Sequence, residues 1–159
     1  MDSLNNYFLE YYQQIENGSV IVGNLIRLWY EQLVDGLQNK RYFFDLKKAT
    51  KAIRFIETFL HHHEGELAPG LVRLELWQKA LVSVIFGIVD KDGLRQFREV
   101  CVIIGRKNGK TLLAAGIAEY IAFLGDYGAR VYFVAPKLEQ ASLCYDALYQ
   151  SILQEPELA

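Results

Sequence analysis

The chain has 159 residues, of which 52% are hydrophobic and 23% charged, with a formal net charge of −2. That is enough apolar material for one ordinary domain with a substantial core, and it excludes disorder throughout. It also excludes a global basic field for nucleic acid, so any such role has to come from a local patch.

The first third reads as helices. Leu4, Tyr7, Phe8, Tyr11, Tyr12 and Ile15 recur at intervals of three and four and form one apolar stripe, which Asn17-Gly18 ends. A second helix is predicted from about Gly23 to Val34, with Ile26, Trp29, Tyr30 and Leu33 on one face and a stop at Asp35-Gly36. Asp45 is placed to cap a third, lined by Leu46, Ala49, Ile53, Ile56 and Leu60. Residues 64–70, EGELAPG, concentrate Gly, Pro and acids and read as a linker after a helical region 1–63.

From residue 71 the pattern changes. Glu75 to Phe86 predicts a helix, with Val84–Asp90 read as helix running into a turn at Asp90-Lys91-Asp92-Gly93. Val100–Ile104 is a continuous, mostly β-branched run of the kind found in a strand buried on both faces. Thr111–Leu124 follows as a helix with Leu113, Ile117, Ala118, Ile121 and Leu124 on one face and Gly125 just past its end. Arg130–Ala135 is a second β-rich run closed by Pro136, and Leu138, Ala141, Tyr145, Leu148 and Ile152 mark a last amphipathic helix. Strand, loop, helix, strand, helix is the start of an α/β domain with a parallel sheet.

The loop between the first such strand and its helix carries the chemistry. Gly109-Lys110-Thr111 matches the end of a phosphate-binding loop, although the first glycine of that pattern falls one residue late, at Gly105. Gly109 lets backbone approach a phosphate, N–H groups at the helix start point at the anion, Lys110 reaches the β and γ phosphates, and the Thr111 hydroxyl ligates Mg²⁺. Gly105 makes the turn and Arg106, Lys107 and Asn108 form the curve. Six cations (Lys91, Arg95, Arg98, Arg106, Lys107 and Lys110) stand against two acids (Asp92 and Glu99) in residues 91–110, so the window is strongly positive in a chain that is net negative. The alternative is a charged surface turn between a core strand and a core helix.

The run from Gly93, GLRQFREVCVIIGRKNGKTLLAAGIAEYIAF, followed by VYFVAPKLEQA, resembles the N-terminal part of the phage terminase large subunit, the motor ATPase that packages viral DNA. Its nucleotide loop is commonly an Arg-Lys-Asn-Gly-Lys-[Ser/Thr] variant without the usual first glycine. Upstream, YFFDLKKATKAIRFIETFL, GEL and LELWQKALVSVIFG resemble the family's Phe-Asp, helix, Gly-Glu-Leu and Leu-x-x-Trp-Gln pattern, so the likeness runs from roughly Tyr11 onward. The resemblance implies ATP and Mg²⁺ as cofactors, with Trp77-Gln78 on the adenine side, where a glutamine amide pairs donor and acceptor with the base edge. It implies Lys110 and Arg106 as catalytic residues, Arg106 touching the γ phosphate, and Gly105 through Thr111 as the nucleotide loop. Without it, Gln78 reads as a solvated helix position and Arg106 as a solvated turn residue or a DNA-phosphate contact.

By the same resemblance the partners are double-stranded DNA, a portal protein, a small terminase subunit and further copies in the motor, working in the host cytoplasm and docking transiently on the procapsid. The expected fold is α/β: a helical N-terminal segment, then the first part of a P-loop NTPase parallel sheet over 71–159, incomplete because later strands insert into it. The Mg²⁺-binding Asp and water-orienting carboxylate that hydrolysis needs are expected on a later strand, and the nuclease acids on a further domain. A helicase or kinase fragment, or a helical interaction module with an idle loop, are the rival readings.

Elsewhere the sequence is less suggestive of chemistry. His61-His62-His63 are adjacent and point roughly 100° apart on a helix, which argues against joint chelation of one ion. Two cysteines, Cys101 and Cys144, supply no disulfide framework. The N-terminus has no basic region followed by an apolar stretch, and no run approaches the roughly 18 apolar residues of a membrane span, so a soluble intracellular protein is expected.

Overall fold

In the computed structural model, which describes residues 5–125 and 127–158, the amphipathic segments of the first third are helical. Helix α1 (Tyr7–Glu16) starts at Asn6, whose side-chain oxygen accepts the Leu9 N–H, and it buries Phe8 and Ile15 of the expected stripe; Leu4 lies outside the described residues. Helix α2 (Asn24–Gln38) continues through Asp35-Gly36, where the sequence predicts a stop. Gly36 serves there as a packing position: a Cβ would overlap the Tyr42 phenol, which lies over the helix and donates to the Gln32 carbonyl at 3.1 Å. Helix α3 (Leu46–Phe59) begins as predicted, with Asp45 Oδ1 accepting the Lys48 N–H at 3.0 Å.

The chain divides into two compact units. The first takes the described residues of Met1–Ile53 and Glu75–Cys101. Helix α4 (Leu76–Gly87) supplies Ala80 and Val84 to a core shared with Phe8, Ile15, Tyr30, Leu33 and Ile88. The Phe8 ring stacks on both Tyr30 and Phe44, with centroids 5.7 Å apart in each pair. Val84–Asp90 is helix as far as Gly87, and then pairs briefly: β1 (Phe43–Phe44) and β2 (Ile88–Val89) form an antiparallel ladder. Asp90 Oδ1 then accepts the N–H groups of Asp92 (2.9 Å) and Leu94 (3.0 Å), which closes the predicted turn.

The second unit takes the described residues of Arg54–Leu74 and Val102–Ala159. Helices α5 (Lys110–Leu124) and α6 (Leu138–Gln154) pack along each other. Gly116 lets the residues around the end of α3 come close, since a Cβ there would stand 2.9 Å from Leu60 Cδ2 and 3.1 Å from Ile56 Cγ2. Phe55 sits among Phe59, Tyr120 and Phe123. Residues 64–70 form a loop tied at its base, where the His62 N–H donates to Gly70 (2.9 Å) and the Val72 N–H to Leu60 (2.8 Å).

The expected parallel sheet is not present: among the described residues there are six helices, and the only sheet is the two-stranded β1–β2 ladder. The runs 100–104 and 130–135 are unpaired, with Ile103 and Val134 each 91% exposed. The second run keeps the alternation of a pleated chain, Val131, Phe133 and Ala135 being half-buried and Tyr132 and Val134 exposed. Such a run becomes a strand only when a neighbour takes its N–H and C=O groups, and neither run meets one among the described residues. On α5 the predicted face is buried at Leu113 and Ala118, but Ile117 and Ile121 are half-buried and Leu124 exposed, while Ala115, Gly116, Glu119 and Tyr120 are also covered.

Candidate nucleotide site

Residues 105–111 lead into the first turn of α5. Arg106 and Lys107 form the turn, and Lys107 and Gly109 have left-handed backbones, at φ 63° and 68°. Gly109 adopts this without cost, whereas Lys107 carries the penalty of a Cβ in the same region. Asn108 braces the curve by donating from Nδ2 to the Arg106 carbonyl at 3.1 Å. A Cβ on Gly105 would lie 3.3 Å from Asn108 Nδ2, a tight contact that glycine avoids.

The helix start is electrically open. Gly109 is the N-cap and no side chain caps the turn; the first helical bond is Leu113 N–H to the Gly109 carbonyl, at 2.9 Å. The N–H groups of Lys110, Thr111 and Leu112 therefore lack the intrahelical acceptor that later residues have, and they carry the positive end of the helix dipole. Arg106, Lys107 and Lys110 are exposed, and none is ion-paired with a carboxylate among the described residues. Thr111 is half-buried one residue inside the helix. Converging N–H donors with unpaired cations suit a polyphosphate, and a hydroxyl beside them suits a hard cation that the phosphate brings.

Trp77 and Gln78 lie in the first turn of α4, in the first unit. Trp77 is half-buried, and Gln78 is only 9% exposed rather than solvated. Gln78 belongs to a capping box: its Oε1 accepts the Glu75 N–H at 2.8 Å while the Glu75 side chain accepts the Gln78 N–H. This fixes the amide's orientation, and the carbonyl oxygen retains a second lone pair beside the two Nε2 donors.

A group that the sequence does not suggest gathers in the second unit. Glu119 of α5 is fully buried, and neither of its carboxyl oxygens has a hydrogen-bond partner among the described residues. Burial pushes its pKa up to about 7, and Glu155 adds to the rise; the Ser151 hydroxyl and His61 oppose it. The Ser151 proton is directed instead to the Phe59 carbonyl, at 3.3 Å. The one available signal is that Glu119 is the only acid in KTLLAAGIAEYIAFL, an otherwise apolar helix. His61 contacts Glu155, and among the described residues no three His, Cys, Asp or Glu side chains assemble as a metal set.

A cationic, glycine-bounded loop opening onto an uncapped helix is an arrangement that can receive an anion. The family described as terminase large subunit, ATPase domain, matches residues 76–159, which is more than half of the chain and contains both the loop and Trp77-Gln78. The chain belongs to this family of DNA-packaging ATPase domains. No curated protein and no solved structure matches it significantly. Among the described residues no helix is long and apolar enough to cross a membrane.

Proposed function

We propose that this chain is the ATP-binding part of a phage terminase large subunit, with Gly105–Thr111 as the nucleotide loop of a motor that drives double-stranded DNA into procapsids. The observation that carries the reading is the set of uncapped N–H groups at the start of α5 beside the exposed Arg106, Lys107 and Lys110, none ion-paired with a carboxylate among the described residues. Family membership favours the motor over a kinase or helicase fragment.

In this reading Lys110 and the helix-start N–H groups hold the β and γ phosphates, Arg106 meets the γ phosphate, and Lys107 and Asn108 keep the loop curved. Thr111 Oγ1 is the ligand for Mg²⁺, which when bound neutralises phosphate charge. Trp77 and Gln78 serve the adenine, the Gln78 amide being held ready by its cap to Glu75. Residues 71–159 are the first part of the ATPase domain, after helical residues 1–63 and the loop 64–70. Hydrolysis requires a Mg²⁺-binding aspartate and a water-orienting carboxylate from a later strand, and runs 100–104 and 130–135 are the places where such strands pair. Portal protein, small terminase subunit and further copies of the motor are the partners, in the host cytoplasm and on the procapsid.

Replacing Lys110 by Ala tests the assignment. Losing a charge-assisted phosphate contact weakens binding of a fluorescent Mg·ATP analogue roughly ten- to a hundredfold. Unchanged affinity in a variant with the wild-type circular dichroism spectrum removes Lys110 from the site.

A further inference from the structure

The buried group around Glu119 lies outside the nucleotide loop and has no part in the reading above. Its geometry calls for protons. His61 Nδ1 stands 2.7 Å from the Pro69 carbonyl, which can only accept, so Nδ1 carries a hydrogen. The opposite nitrogen, Nε2, faces Glu155 Oε2 at 3.3 Å. A bond across that gap needs one further proton, either on the ring as an imidazolium or on the carboxyl. Glu119 is buried with both oxygens unpartnered, and an ionised carboxylate in that position bears the full cost of desolvation.

These groups sit on the seam between elements. Glu119 belongs to α5, Glu155 caps the C-terminal end of α6, and His61 follows α3 in the chain. The charged and titratable groups acting on Glu119 are His61 and Glu155, with the Ser151 hydroxyl between the elements. Ser151 itself accepts the His61 N–H at 3.0 Å, so the polar contacts of α6 with the segment after α3 converge on one place.

We propose that buried Glu119 is a proton-operated latch between α5 and α6: while it is neutral, α6 stays seated on α5 with Ser151 and Glu155 bound to His61, and the seat loosens when Glu119 ionises. The sign follows from linkage. Glu119 has a folded pKa of about 7, above the ordinary carboxylate value of 4.5 that it regains when α6 lets go. Between those limits the closed form binds more protons than the open one, so closure is strongest at the acidic end and weakens as pH rises through neutrality.

Hydrogen exchange of the intact chain across pH 5.5–8.5, corrected for intrinsic rates and read on α6 peptides, tests the latch. Wild-type protection of α6 should fall with rising pH by about ten- to a hundredfold, which is what a shift of this direction and size permits. Glu119→Gln, neutral at every pH and nearly the same shape, should retain protection at pH 8.5 and lose most of the slope. A flat wild-type profile, or the full wild-type slope in Glu119→Gln, overturns the proposal. Should that variant not fold, a carboxyl-carbon NMR titration of wild-type Glu119 decides: titration near neutrality supports the latch, and titration in the ordinary carboxylate range overturns it.

Discussion

Gly87 ends α4 at a point where space, and not backbone freedom, requires glycine. A Cβ there would lie 2.9 Å from Ala49 Cβ and 3.0 Å from Phe44 Cε2. Alanine is better than glycine inside a helix by about 1 kcal/mol, while overpacking costs about 1–3 kcal/mol. The clash should prevail, because the Ala49 methyl has no torsion that moves it away. Gly87→Ala is therefore expected to lower the urea-unfolding free energy by about 1–2 kcal/mol, and an unchanged midpoint and slope would contradict the packing. Gln78 shows the converse: a polar residue beside Lys79 reads as solvated, yet the amide is buried by an end-of-helix role that only Glu75, three residues earlier, makes legible.

Among the elements, one hydroxyl makes two of the polar contacts between α6 and the end of α3. Ser151 Oγ accepts the His61 N–H at 3.0 Å and donates to the Phe59 carbonyl at 3.3 Å. Ser151→Ala leaves a half-buried N–H without its acceptor, which costs about 1–3 kcal/mol and should appear as a lower melting temperature at every pH. A melting temperature within error of wild type would show that water replaces the hydroxyl. That loss also separates the serine's role from that of Glu119, whose contribution changes with pH only between its open and closed pKa values. At the other end of α3, Asp45 was readable from sequence because a cap is local, spanning only Asp45 to Lys48.

For the whole molecule, runs 100–104 and 130–135 are apolar segments with no ladder partner among the described residues. Ile103 and Val134 expose apolar side chains on segments whose backbone groups have no ladder partner among the described residues, which is a template for association with another chain. Ile103→Lys with Val134→Lys should reduce light scattering of concentrated protein while changing unfolding free energy by no more than about 0.5 kcal/mol per site. Destabilisation well beyond that value would mean that these side chains are packed in the folded chain.

What the sequence determined by itself was what neighbours within a turn or two decide. Helical stripes, the Asp45 cap, the Asp90–Gly93 turn and the Gly-Lys-Thr start of α5 all depend on spacings of a few residues, and the match over residues 76–159 agrees with the family likeness read from Arg106-Lys107-Asn108. Tertiary structure alone decided the rest. Gly36 continues a helix because Tyr42 covers it, and Ser151 and Glu155 reach His61 across 90 and 94 residues of sequence. The apolar runs show the same division from the other side: their composition suits a strand, but a strand is a relation between two segments, and no composition supplies the second.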